Sequence, residues 1–193
     1  SPGVGIWLAK TFAEVAPNHE IFLVITGLGD TGHALCESGV DKLAFTGSTK
    51  TAKIVAGTCA RTMTPVILEC GGKDPVIIAA DADIKTAADF TLWSAISNAG
   101  QTCIGAERVY VDEKVADQFI TGIVELGKKV RPGPPGDGNY GPATMPKQLD
   151  VIESHIADAI ARRGQDLLGG LNSLKSPFVE PVILVNVPED SIA

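Results

Sequence analysis

The chain has no CxxC pair, and its four cysteines, Cys36, Cys59, Cys70 and Cys103, form no framework of close spacings. Only His19, His33 and His155 are present as co-ligands, so neither a zinc site nor a disulfide framework is expected, and the cysteines read as free thiols in a reducing compartment. Basic charge is also short. Lys and Arg number 16 against 23 Asp and Glu, a formal net charge of -7, and the densest basic cluster is Lys128-Lys129 with Arg131, read as a solvated helix end. A nucleic-acid surface needs clustered cations to displace counterions, so no nucleic-acid partner is expected. No apolar run approaches the ~18 residues that span a bilayer, and the first residues lack the charged and apolar regions of a signal peptide. Hence no membrane association is expected, and a cytoplasmic location is the default. Internal repeats and low-complexity segments are missing as well.

What is present is an ordinary globular composition. With 193 residues, 45% hydrophobic and 20% charged, the chain is long enough to bury a core as one large domain or two small ones. It opens Ser1-Pro2-Gly3 without an initiator Met and stops soon after Glu189-Asp190-Ser191. It reads as an excised piece of a longer protein.

Along the chain, Val4, Leu8, Phe12 and Val15 fall at helical spacing, and Pro17-Asn18 ends that element. Residues 21–26 are apolar and rich in β-branched side chains, which predicts a strand, and a glycine turn then opens a short helix through Cys36. A strand over residues 42–45, a helix carrying Ala52, Ile54, Val55 and Ala60, and a strand over 66–69 follow. Short apolar strands alternating with helices imply a parallel sheet buried on both faces, half of a doubly wound nucleotide-binding domain.

Composition shifts at Cys70-Gly71-Gly72. Beyond it lie a strand over 76–80 and a helix capped by Asp81 or Asp83, with Ile84, Ala87 or Ala88, Thr91, Leu92 and Ala95 on one stripe, ended by Gly100. Then come a strand over 108–111, a helix marked by Val115, Phe119, Ile123 and Leu126, and a Pro- and Gly-rich loop over 131–142. A helix marked by Leu149, Ile152, Ile156 and Ile160 carries His155 as a solvated polar residue. A last strand over 178–187 is interrupted by Pro181, which argues for an edge position or a late start near Val182.

Two loops have the form of phosphate binders. Gly27-Leu28-Gly29-Asp30-Thr31-Gly32 matches GxGxxG between a strand and a helix, but the acidic residue expected ~20 positions later is not evident. Thr46-Gly47-Ser48-Thr49 also sits between strand and helix, where its amides and hydroxyl can meet a pyrophosphate. An ordinary N-cap explains that loop equally. Cys103, after the glycine turn Asn98-Ala99-Gly100-Gln101-Thr102, is either a reactive thiol or a small buried hydrophobe, the commoner fate of a lone cysteine. Glu69, beside Cys70-Gly71-Gly72, is either a base or a carboxylate satisfying turn amides.

Taken together, Phe45-Thr46-Gly47-Ser48-Thr49, Leu68-Glu69-Cys70-Gly71-Gly72-Lys73, Asp81-Ala82-Asp83, Asn98-Ala99-Gly100-Gln101-Thr102-Cys103 and Arg108-Val109-Tyr110-Val111 resemble, in order and spacing, the NAD(P)-dependent aldehyde dehydrogenase superfamily. The resemblance covers essentially the whole chain and is strongest over 43–111. It implies an α/β fold: a parallel-sheet, Rossmann-like cofactor-binding part over residues 1–70, followed by an α/β catalytic part over 71–193, both incomplete. It also implies NAD or NADP as cofactor, with the Gly47-Ser48 loop on the pyrophosphate, Gly29 near the adenosine end and the Cys70 carbonyl beside the nicotinamide amide. Cys103 becomes the nucleophile, its backbone amide part of an oxyanion site, and Glu69 the general base that hydrolyses a thioester. The substrate is a small aldehyde, and the full-length protein is expected to be a homo-oligomer.

Several departures stand out. Ala52 replaces a usual glycine and Cys70 a usual leucine. The family's upstream Asn of the oxyanion site, its ribose-binding Lys, its downstream Glu-x-Phe-Gly-Pro segment and its terminal strand pair lie outside these residues. This piece alone is therefore expected to be nearly inactive. The competing readings are an acylating relative in which coenzyme A takes the acyl group, and a non-catalytic module derived from such an enzyme. Members that use coenzyme A commonly lack the base, so Glu69 favours hydrolysis. A Cys/His hydrolase would need an imidazole in a promising motif near Cys103, and none is seen.

Overall fold

The structure, a computed structural model, describes residues 2–193. The chain divides into two compact units, Ser1–Cys70 and Gly71–Ala193. Each contains the same device, a pair of parallel strands joined through a helix.

The first unit holds α1 (Pro2–Val15), α2 (Gly29–Glu37), β1 (Leu43–Gly47), α3 (Thr49–Ala60) and β2 (Val66–Cys70). Leu43 pairs with Val66, Thr46 with Glu69 and Gly47 with Cys70. Leu43 and Phe45, two residues apart, share one face of β1. With Val66 they pack against Cys36, Val40, Val55 and Cys59. Cys59 is 0% and Cys36 4% exposed, and burial, together with the neighbouring Cys59, pushes the Cys36 thiol up. Both behave as small apolar fillers rather than nucleophiles. Ala52 is also buried.

Two expectations are corrected here. Residues 21–26 form no strand: β-branched composition favours an extended chain, but a strand exists only when a neighbour takes up its N–H and C=O groups. Among the described residues none does, and Ile21, Leu23 and Ile25 stay exposed. Phe22 instead stacks on Phe12 of α1, ring centroids 4.8 Å apart. Nor is the parallel pair buried on both faces, since Ile67 and Leu68 are exposed. Two strands have only edges, and the buried cluster lies on the face where Val55 and Cys59 of α3 pack.

The second unit holds β3 (Asp74–Ile78), α4 (Ile84–Ile96), β4 (Ala106–Val111), α5 (Ala116–Gly127), α6 (Pro146–Ala161), β5 (Gln165–Leu168), β6 (Leu174–Lys175), β7 (Phe178–Val179) and β8 (Ile183–Val185). Its core joins Ile78 to Ala88 and Leu92 of α4 and to Phe119 and Ile123 of α5. The helical stripes drive this packing. A Cβ on Gly122 would lie 3.6 Å from that of Ala88, so the two helices approach closely at that point. Asp83 rather than Asp81 caps α4, accepting from the Thr86 N–H at 2.9 Å, and that bond holds its carboxyl below its ordinary range.

The expected interruption at Pro181 is present, and two details of α6 differ from expectation. Pro181 divides the last strand in two: β7 pairs antiparallel with β6, and β8 antiparallel with β5. On α6 the buried side chains are Ile156 and Ala159, while Ile160 is exposed, because the buried face steps by three residues there. His155 is half-buried rather than solvated; burial, then the nearby Lys73 charge, lowers its pKa against the opposing pull of Glu107 and Asp158. No helix among the described residues is long and apolar enough to cross a membrane.

Candidate active site

The parallel ladder of the first unit places four of the predicted residues together. Thr46 lies opposite Glu69 and Gly47 opposite Cys70, and Ser48 follows directly as the N-cap of α3. All sit at the carboxyl ends of parallel strands, where open α/β sheets take their ligands. Ser48 Oγ accepts from the Thr51 N–H at 3.2 Å and lies 3.0 Å from Thr51 Oγ1. The N-cap reading of this serine therefore holds, and it leaves room for a second role. When Thr51 Oγ1 supplies the shared proton, the Ser48 hydroxyl keeps its own for another acceptor. The first turn of α3 carries no acid. Gly47 is crowded: a Cβ there would stand 2.6 Å from Phe45 Cζ.

Gly29 is not part of this ladder and is the first residue of α2. No side chain caps that helix, and Asp30 lies in its first turn, a charge that opposes an incoming phosphate. The two glycine loops are thus unequal, and the Ser48 turn offers the better anion environment. A dinucleotide fits the donors present at Gly47, Ser48 and the start of α3.

Cys103 belongs to the second unit. α4 ends at Ile96, and a short 3-10 turn over Ser97–Gly100 reverses the chain through three successive left-handed residues, Asn98 (φ 56°), Ala99 (φ 59°) and Gly100 (φ 70°). The next residues are held at both ends. Gln101 Oε1 accepts from the Thr144 N–H at 2.8 Å, and Ser94 Oγ accepts from the Ala106 N–H at 3.3 Å where β4 begins. Between these anchors the Gly105 N–H donates to the Thr102 carbonyl at 3.2 Å. Cys103 is exposed on this turn. Its backbone N–H donates to no acceptor among the described residues. A solvent-facing thiol beside an unclaimed N–H is what attack on a carbonyl requires.

Sequence reasoning attached no role to Thr144 or Ser94, and Gln101 entered only as a letter in a motif. The signal was out of reach, since Thr144 lies 43 residues beyond Gln101. Elsewhere in the second unit, Lys73 pairs with Glu107 at 3.0 Å and its carbonyl accepts from Arg108 Nε at 3.0 Å, which ties the start of β3 to β4.

The sequence pattern described as "Aldehyde dehydrogenase family" matches residues 1–193. The chain belongs to the aldehyde dehydrogenase family. It is 32% identical over 199 residues to the D-glyceraldehyde dehydrogenase (NADP(+)) of Picrophilus torridus, covering 99% of this chain and 40% of that relative. Two solved structures superpose closely. The lactaldehyde dehydrogenase of Escherichia coli does so with a TM-score of 0.92 at 30% identity, covering 98% of this chain and 41% of that one. The NAD-dependent aldehyde dehydrogenase of Sinorhizobium meliloti has a TM-score of 0.92 at 31% identity, covering 98% and 39%. The chain of this family member thus spans about two-fifths of the length of such relatives. The fold is the mixed α/β fold of these enzymes, with parallel strand pairs in both units.

Proposed function

We propose that the protein containing this chain oxidises an aldehyde to a carboxylic acid with NAD or NADP, with Cys103 as nucleophile and Glu69 as general base. The observation that carries this reading is Cys103 itself, an exposed thiol on a turn anchored at both ends, in a chain whose Cys36 and Cys59 are buried. In this reading the unit ending at Cys70 serves the cofactor and the unit beginning at Gly71 serves catalysis. Ser48, Gly47 and the first amides of α3 would hold the pyrophosphate, the Cys70 carbonyl would serve the nicotinamide amide, and Gly29 would serve the adenosine end. The relatives, one named for NADP and one for NAD, support either dinucleotide.

An aldehyde cannot lose hydride readily until electrons are pushed toward its C–H bond. The Cys103 thiolate attacks the carbonyl carbon, forming a C–S bond and placing the carbonyl electron pair on oxygen, where the Cys103 N–H can donate to it. The bound dinucleotide supplies the hydride acceptor. Once the C–H electron pair has left, the oxygen re-forms its double bond and a thioester remains on Cys103. Glu69 then takes a proton from water, whose oxygen attacks the thioester carbon; the C–S bond breaks and the thiolate returns.

Replacing Cys103 by Ser in the intact protein is expected to abolish aldehyde-dependent NAD(P)H formation, roughly a 10⁴-fold loss or more, because a serine hydroxyl stays protonated at neutral pH and is a far poorer nucleophile than a thiolate. Glu69→Gln is expected to leave a single-turnover burst of reduced cofactor and to trap the acyl group on Cys103, read as a mass increase on that peptide. Aldehyde oxidation surviving in Cys103→Ser would defeat the proposal. Acyl-coenzyme A as the main product would replace hydrolysis by acyl transfer.

A further inference from the structure

Gln101 stands two residues before Cys103 and takes no part in the chemistry above, yet its carboxamide is fully engaged. Nε2 donates to the Asn98 carbonyl at 2.8 Å and to the Pro142 carbonyl at 3.2 Å. Oε1 accepts from the Thr144 N–H at 2.8 Å and from the Thr144 hydroxyl at 2.9 Å. A carboxamide has two donor hydrogens and two acceptor lone pairs, and all four are used. A fifth bond, from Asn98 Nδ2 to the Gln101 carbonyl at 3.0 Å, closes the turn on itself.

The turn needs such a hold. Ala99 sits at φ 59°, where its Cβ is sterically disfavoured, and a residue in that region persists only when its surroundings over-determine it. The segment that Gln101 grips is itself ordered. The Ala143 N–H donates to the Pro177 carbonyl at 2.9 Å, Tyr140 Oη donates to the Val179 carbonyl at 2.8 Å, and the Gly133 N–H donates to the Tyr140 carbonyl at 2.9 Å. The loop that Gln101 grips through Thr144 is thus tied, by Tyr140 and Ala143, to Val179 of β7 and to Pro177 just before it.

We propose that Gln101 is a positioning residue for the nucleophile: with Thr144 it clamps the Asn98 to Cys103 turn against the loop ending at Thr144 and so fixes where Cys103 presents its thiol and backbone N–H. The inference rests on Cys103 being the nucleophile, and one arm of its test needs no turnover. In that arm, hydrogen exchange of the intact protein is followed in wild type and Gln101→Leu. The Thr144 and Gly105 amides are expected to exchange roughly tenfold faster or more, while the Asp112 amide, bonded to Ile78 at the end of the β3 and β4 pair, is unchanged. In the kinetic arm, Gln101→Leu is expected to slow the burst of thioester formation by about 10- to 100-fold with the aldehyde KM within about twofold, the pattern of a misplaced reacting group. Thr144→Val is expected to slow it several-fold, Thr144→Ser to restore the rate, and the double variant Gln101→Leu with Thr144→Val to be no slower than Gln101→Leu alone.

Should Gln101→Leu fail to fold, the contrast between Thr144→Val and Thr144→Ser carries the test. The proposal is overturned by unchanged exchange at Thr144 and Gly105, by a burst rate within twofold of wild type in folded Gln101→Leu, by multiplying losses in the double variant, or by equal rates in the two Thr144 variants. Those results leave the nucleophile in place. Loss of the nucleophile reading itself shows instead as activity in Cys103→Ser, and the exchange arm then still reports on the clamp.

Discussion

Ser48 holds the first turn of α3, and the same hydroxyl is proposed to meet the cofactor, so two substitutions should separate the roles. Ser48→Ala removes the bond to the Thr51 N–H, which is 3.2 Å long and solvent-exposed. That places the loss at the low end of measured N-caps, about 0.5–1 kcal/mol of stability. If the hydroxyl also donates to a phosphate oxygen, the same change removes a charge-assisted bond of about 1.5–3 kcal/mol, and the NAD(P) dissociation constant rises roughly 10- to 100-fold. Ser48→Asp keeps a good cap but brings a carboxylate to the pyrophosphate. Two like charges at about 4 Å repel by about 1 kcal/mol in bulk water and about 4 kcal/mol at an effective dielectric of about 20. At this exposed position the expected weakening is roughly tenfold or more, while stability stays within about 0.5 kcal/mol of wild type. Urea melts give the first quantity and titration calorimetry with NAD and with NADP the second. Wild-type affinity for both cofactors in Ser48→Asp would refute the assignment and leave Ser48 a cap alone.

Two further predictions concern the second unit. Phe119 is 3% exposed in the core with Ile78, Ala88, Leu92 and Ile123, so Phe119→Ala is expected to cost about 3–5 kcal/mol of that unit's stability; a loss under about 1 kcal/mol in urea melts would mean that α4 and α5 do not pack as described. His155 has a pKa lowered chiefly by burial, then by Lys73, against Glu107 and Asp158. In the window between its ordinary value and the lowered folded one, the unfolded state binds more protons, so His155 contributes stability that is present above about pH 6.5 and is lost as pH falls through the folded value. Melting temperatures of wild type and His155→Gln compared across that window should converge toward acid pH, and parallel curves would contradict the sign.

Local patterns were strong enough in this chain to locate nearly all of the helices. Apolar side chains three and four apart mark the buried faces of α4 and α5, and Asp83 and Ser48 mark helix starts, because capping and periodicity depend on neighbours in sequence. Strands were less legible. Residues 21–26 have strand composition without a partner, and β5 and β6 exist only because β8 and β7 come back to pair with them. Pairing is a property of two distant segments, and one segment cannot declare it.

The site divides along the same line. Cys103, Glu69 and the Ser48 turn were legible only jointly, as strings in the order and spacing of a family, since each alone also fits a buried thiol, a turn carboxylate or an ordinary N-cap. The tertiary structure alone decided that Glu69 stands across the ladder from Thr46, with Cys70 beside Gly47, because strand register is set by packing against α2 and α3. It also decided that Cys36 and Cys59 are buried, Cys70 half-buried and Cys103 exposed, which separates two fillers and one strand-end residue from one candidate nucleophile. And it alone brought Thr144 to Gln101, since a hydrogen bond spanning 43 residues of chain is made by the fold and leaves no trace in either segment.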